Sequence, residues 1–300
     1  MRKRTNRERE KFLKKQFFAF ELFERTAKDN LKVHKKVNSK IKDAKEKEYH
    51  KFFYEFYFKI DTNIAELSKG LKLLFNKHNL MPSVFLLRGL TELIFFNIYV
   101  AFKSHLYVRK NDMSGLVDLI LKANMATGVE TLKSINLKSE SAIFNKIITK
   151  YKGRRLHIND CIRFFKKKHI ENIIKTKENT KIASFRYLEN SKKKTNMGSF
   201  EFEGMNIDSS IVQEIALTMN RSRIIQAYDK MCEIIHPTAI KIYDASDPTL
   251  QNDYDELFHH ILDSGLFMIN INAIIYKLFL CRWFLENKDE FIETFNNKLK

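Results

Sequence analysis

Glycine and proline are scarce in this chain, eight and three among 300 residues. Turns and hairpins draw on both for their special dihedrals, so a chain this poor in them reads as mostly helix rather than many short strands. Cysteine is equally sparse: Cys161, Cys232 and Cys281 are odd in number and far apart. That spacing excludes a disulfide framework and a cysteine zinc site, and it suits a reducing, cytoplasmic setting. A phosphate-cradling glycine loop, a nucleophilic serine or cysteine motif and a dinucleotide fingerprint are all missing, so no cofactor is expected. The first residues, "MRKRTNREREKFLKK", lack the apolar core of a secretory signal.

Clean apolar runs of membrane length are lacking as well. Residues 84–102 carry Arg88, Glu92 and Asn97, and residues 266–285 carry Asn270, Asn272, Lys277 and Arg282. A charge at the membrane centre costs about 2.5–3.5 kcal/mol on insertion scales. Both segments therefore read as buried core helices, and no membrane partner is expected.

What the chain has in excess is positive charge, +18 overall. Residues 1–50 hold 17 Lys and Arg against 8 Asp and Glu, and residues 150–194 hold 15 against 4. The rest of the chain is close to neutral. Two basic patches on a neutral body are the footprint of a polyanion ligand, most commonly nucleic acid, although a solvated charged face produces the same composition. Within the second patch stand Arg154, Arg155, Lys166, Lys167, Lys168, Lys192, Lys193 and Lys194, the candidate nucleic-acid contacts.

Periodicity predicts an all-α fold. Residues 1–80 read as a basic region of two or three amphipathic helices, with an aromatic stripe that serves as a core face or a base-stacking surface. Residues 81–300 read as a helical bundle. Pro82 opens a helix that runs to about His105, where a missing amide hydrogen is harmless. A helix follows at about residues 114–124, then a polar, lysine-rich insertion at about 137–205. "SFEFEGMNID" is a short strand or a loop. A helix from about Ser209 ends before Pro237, because the residue preceding proline is pushed out of the α region. The last helix spans about residues 254–286.

Two short segments carry chemistry. In "FLLRGLTELIFF", Arg88 and Glu92 are four apart and so share one helix face among apolar neighbours. Buried charge needs a partner, so the pair is either a packing salt bridge or an arginine held ready for an anion. Gly89 between them invites close approach of another helix. In "MCEIIHPTAIK", His236 ends a helix, and the carbonyl end of the dipole together with Glu233 favours its protonated form. That suits a general acid or base. An exposed terminal histidine is the alternative, because Gln226, Asp229, Glu233 and His236 form a polar row. Asp255, His259 and Asp263 fall on one helical face and have metal-ligand chemistry, yet surface charge pairing explains them equally, and no metal is expected.

"LLRGLTELIFF" followed by "YDKMCEIIHPTA" resembles a bacterial family of HEPN-like helical domains. The resemblance covers roughly residues 80–285 and selects Arg88, Glu92, Tyr228, Glu233 and His236. It implies a metal-independent ribonuclease of phage defence or toxin–antitoxin systems, acting on RNA rather than DNA. It further implies a homodimer with a possible partner protein. The wider group places an arginine four to six residues before its histidine, and here Lys230 stands in that position. Arg163 and His169 do fit the spacing, although nine histidines and fourteen arginines produce about one such match by chance. A non-enzymatic nucleic-acid-binding subunit and a membrane-active toxin using the last apolar helix are the competing expectations.

Overall fold

The computed structural model describes residues 38–76, 80–126, 142–166, 224–235 and 266–300, with single positions between 21 and 36. Of this part 89% is helical and none is strand, which makes the protein all-α as its glycine and proline poverty predicts. Among the described residues the helices are α1 (Ala44–Asn76), α2 (Leu80–Arg109), α3 (Met113–Asn124), α4 (Ala142–Lys150), α5 (Ile158–Lys166), α6 (Ile224–Ile235) and α7 (Leu266–Leu299). They form two compact units. The first comprises Met1–Asp29, Ile64–Glu92 and Ile162–Asn272, and the second Asn30–Asn63, Leu93–Cys161 and Ala273–Lys300.

Boundaries differ from expectation where a cap or a core contact overrides local pattern. α2 is already helical at Leu80, so Pro82 lies inside the first turn, where its missing N–H has no intrahelical partner to lose. The same helix runs to Arg109 rather than His105, and stops in a Schellman motif. Asn111 takes a left-handed φ of 53°. Its N–H bonds the Val108 carbonyl at 3.1 Å, and the Asp112 N–H bonds that of Tyr107 at 2.9 Å. Asparagine tolerates this conformation because its short polar side chain is only lightly penalised there. Asp112 then caps α3 through Oδ1, which accepts from the Gly115 N–H at 2.8 Å.

The second unit is built on aromatic rings. Phe53 of α1 is fully buried and sits 5.2 Å from both Phe284 and Phe291 of α7, centroid to centroid. Tyr49 meets Phe295 edge-on at 5.3 Å, and its hydroxyl donates to Asn296 Oδ1 at 2.7 Å. Lys288 pairs with Glu46 at the rim. These contacts explain why α7 continues to Leu299 rather than stopping at Glu286. Asn287 leaves helical geometry (φ −123°, ψ 22°), and its side-chain amide donates to the Trp283 carbonyl at 2.9 Å. The helix bends there and resumes, and Phe291 and Phe295 return to the core.

The lysine-rich middle is not uniformly polar. Ile147, Ile148, Tyr151, Leu156 and Cys161 are buried, and α4 and α5 form around them. In the first unit, Ile64 and Leu71 of α1, Val84, Leu87 and Leu90 of α2, and Tyr228 and Met231 of α6 are the buried apolar positions. Buried Ser68 and Thr91 return their hydroxyls to the carbonyls of Ile64 and Leu87 at 2.7 and 2.8 Å, so neither leaves an unmet polar group. The segment "SFEFEGMNID" and residues 209–223 of the expected long helix lie outside the described residues, while α6 ends at Ile235, ahead of the proline.

Candidate functional site: a charged cluster of α2 and α6

Leu87, Leu90 and Thr91 turn into the core. Arg88 and Glu92 lie on the edge of that face, one helical turn apart. Their side chains are 24% and 28% exposed, so the pair is sheltered but reachable. Arg88 Nε donates to Glu92 Oε1 at 3.0 Å. From α6, the buried Tyr228 donates its hydroxyl to the same oxygen at 2.7 Å. Cys232, one turn beyond Tyr228, is half-buried and close enough to that hydroxyl to influence its ionisation.

The electrostatics follow from this arrangement. Burial pushes the Tyr228 hydroxyl pKa up, and its bond to the Glu92 carboxylate pushes the same way, so the ring stays a neutral donor. For Arg88, burial works against the charge, but the contact with Tyr228 and the field of Cys232 and Glu92 outweigh it, and the guanidinium is held more firmly charged. Burial raises the Cys232 thiol, while Tyr228 and the Arg88 charge pull it back without cancelling the effect. The cluster therefore presents a fixed, permanent cation oriented by a carboxylate, with a tyrosine clamping that carboxylate from a second helix. It has the form of an anion-orienting device, and equally of a helix-pairing bridge.

Three residues chosen from the sequence, Arg88, Glu92 and Tyr228, are thus in direct contact. Cys232 was missed. Its signal was its spacing of four from Tyr228, which puts it on the same face. Gly89 does not serve the close approach expected of it: a Cβ there would stand 3.5 Å from Leu67, an ordinary contact, whereas one at Gly70 would meet Leu86 at 2.9 Å. His236, His169, Lys167, Lys168, Lys192, Lys193 and Lys194 lie outside the described residues, as do the side chains of Glu233 and Lys166. Arg163 is exposed on α5, and Arg154 and Arg155 are exposed on the turn before it.

Asp255, His259 and Asp263 also lie outside the described residues, and among the described residues no three His, Cys, Asp or Glu side chains are grouped to hold a metal. Among the described residues one helix, over residues 82–108, is long and apolar enough to cross a membrane, and 56% of its most apolar stretch is buried inside the protein. Comparisons of the chain with protein families, with curated proteins and with solved structures return no match.

Proposed function

We propose that the protein is a metal-independent RNA-cleaving effector of a defence or toxin system, working in the cytoplasm as a HEPN-like homodimer. The observation that supports this reading is the bond geometry of Arg88: a permanent cation on a helix edge, oriented by Glu92, which Tyr228 in turn holds from α6. Such a cation stabilises the negative charge that develops on phosphoryl oxygens in phosphodiester transfer. The nucleophile is the RNA's own 2′-hydroxyl. His236 takes its proton, the 2′-oxygen attacks phosphorus, and the 5′-oxygen leaves with a proton returned to it. The products are a 2′,3′-cyclic phosphate and a 5′-hydroxyl, and no metal is needed. His236 stands four residues beyond Cys232, the same step that separates Cys232 from Tyr228. Glu233 orients the imidazole, and Glu92 and Tyr228 act by positioning Arg88.

The test is incubation of total bacterial RNA with purified protein in EDTA, beside Arg88→Ala and His236→Ala. Cleavage by the wild type with loss in both variants is the expected result. Intact RNA with wild type, tested with and without lysate from phage-infected cells, sinks the reading in favour of a binding subunit. Variants that cut as well as wild type move the chemistry to His169 and Arg163.

A further inference from the structure

The turn between α4 and α5 is unusual in how firmly it is held and in what it displays. Tyr151, at its start, is 3% exposed and its hydroxyl donates to Asp118 Oδ1 of α3 at 3.1 Å. Leu156, near its end, is buried, and its N–H bonds the Lys122 carbonyl at 3.1 Å. Between them the Arg154 N–H closes a tight turn on the Tyr151 carbonyl at 2.9 Å, with Gly153 at φ 77°. The Asp160 carboxylate accepts from the His157 N–H at 3.3 Å and caps α5. A loop anchored at both ends and closed in the middle fixes the backbone positions from which its side chains project.

Those side chains are cationic. Lys146 and Lys150 lie one turn apart on α4, and Lys152, Arg154 and Arg155 follow on the turn; all five are exposed. Among the described residues none of them forms an ion pair. Among the described residues, the carboxylates of Asp118 and Asp160 are committed elsewhere: Asp118 accepts from Tyr151 and pairs with Lys122 at 2.6 Å, and Asp160 caps the helix. Over residues 149–157 the exposed positions are Thr149, Lys150, Lys152, Gly153, Arg154, Arg155 and His157, with no exposed apolar side chain. An amphipathic membrane-surface helix adds to its cations apolar side chains that enter the lipid, and this turn has none to offer. Exposed cations on an anchored backbone, without apolar company, match a phosphate backbone.

We propose that this anchored turn, with the last turn of α4, is a docking surface for the phosphate backbone of RNA, holding the strand by charge and not by base identity. The proposal rests on the reading above only for the choice of RNA as the ligand. The test is fluorescence anisotropy with a labelled single-stranded 20-mer of 2′-O-methyl RNA, which cannot react through its 2′-oxygen, across a salt series. The variants are the quadruple change of Lys150, Lys152, Arg154 and Arg155 to Gln, and a control outside both basic patches with Lys69, Lys110, Lys298 and Lys300 changed to Gln. Loss of four phosphate contacts should flatten the log–log salt slope by about 2 to 3 and weaken binding at least tenfold, against little change in the control. Equal weakening in both variants, unchanged binding in the first, or no binding by wild type overturns the proposal. So does loss of binding to phosphatidylserine vesicles with RNA binding retained. Wild type that binds this unreactive RNA but leaves natural RNA uncut would keep the docking surface and remove the cleavage chemistry, so the two fail separately.

Discussion

Glu92 Oε1 accepts from two donors on two helices, and the second of them comes from a buried tyrosine. Removing that hydroxyl leaves a sheltered carboxylate with one donor fewer. Tyr228→Phe should lower stability by about 1.5 kcal/mol, the low end for a hydrogen bond to a charged group, because the carboxylate keeps some access to water. Urea denaturation checks this. A double-mutant cycle with Glu92→Gln should return a coupling above about 0.5 kcal/mol; additive losses would mean that the two residues act independently. Cys232→Ser keeps a small polar group beside Tyr228 and should cost less than Tyr228→Phe. Residue choice here was partly readable from the chain. Arg88 and Glu92 announce themselves as charges in an apolar helix. Tyr228 was reached only through resemblance, since nothing in a tyrosine's own neighbourhood says which carboxylate, 136 positions away, its hydroxyl will meet.

At the scale of the element, two helical glycines that look alike in sequence should respond oppositely to alanine. A Cβ at Gly89 meets only an ordinary contact, so Gly89→Ala should stabilise by up to about 1 kcal/mol through helix propensity. A Cβ at Gly115 would fall 2.5 Å from the Tyr107 ring and 2.6 Å from the capping Asp112 carboxylate. Gly115→Ala should therefore lower the melting temperature despite the same propensity gain; a rise would show that the α2–α3 junction yields easily. Gly153 has open space around it, but its φ of 77° disfavours a side chain, and Gly153→Ala should cost about 1–2 kcal/mol. Thermal melts of the three variants read all three signs. Helix existence followed from periodicity, whereas helix ends did not. The C-terminal half of α7 is rich in charged and amide residues, and the ring contacts of Phe291 and Phe295, with the Tyr49–Asn296 bond and the Lys288–Glu46 pair, hold it in place.

The behaviour of the whole molecule with pH follows from phenols and thiols in both units. Burial pushes Tyr99 and Tyr151 up to about 12, and it raises Tyr107, Tyr228, Cys161 and Cys232 as well. A raised acid pKa means that the unfolded chain releases its proton first. Stability from these groups is complete below the unfolded thiol and phenol values and is lost as pH rises through the folded ones. Urea midpoints should be flat from pH 7 to about 8, then fall with increasing steepness above about pH 10. A midpoint that held level to pH 11 would show these groups to be solvated. Neutral-pH stability instead leans on the aromatic core: Phe53→Ala should lose about 3–5 kcal/mol, a large share of a typical domain's total.

By itself the sequence determined the helical class, because scarce glycine and proline and a 3.6-residue period leave little else for the backbone to do. It also determined where positive charge accumulates, since charge is a property of composition. Only the tertiary structure decided which of those cations stand exposed on an anchored turn. It alone brought Tyr228 and Cys232 of α6 to the Arg88–Glu92 edge of α2, and it alone showed which glycine is crowded. Each of these depends on which faces meet across long sequence separations. Local periodicity says that a face is buried, while contact between distant segments decides against what.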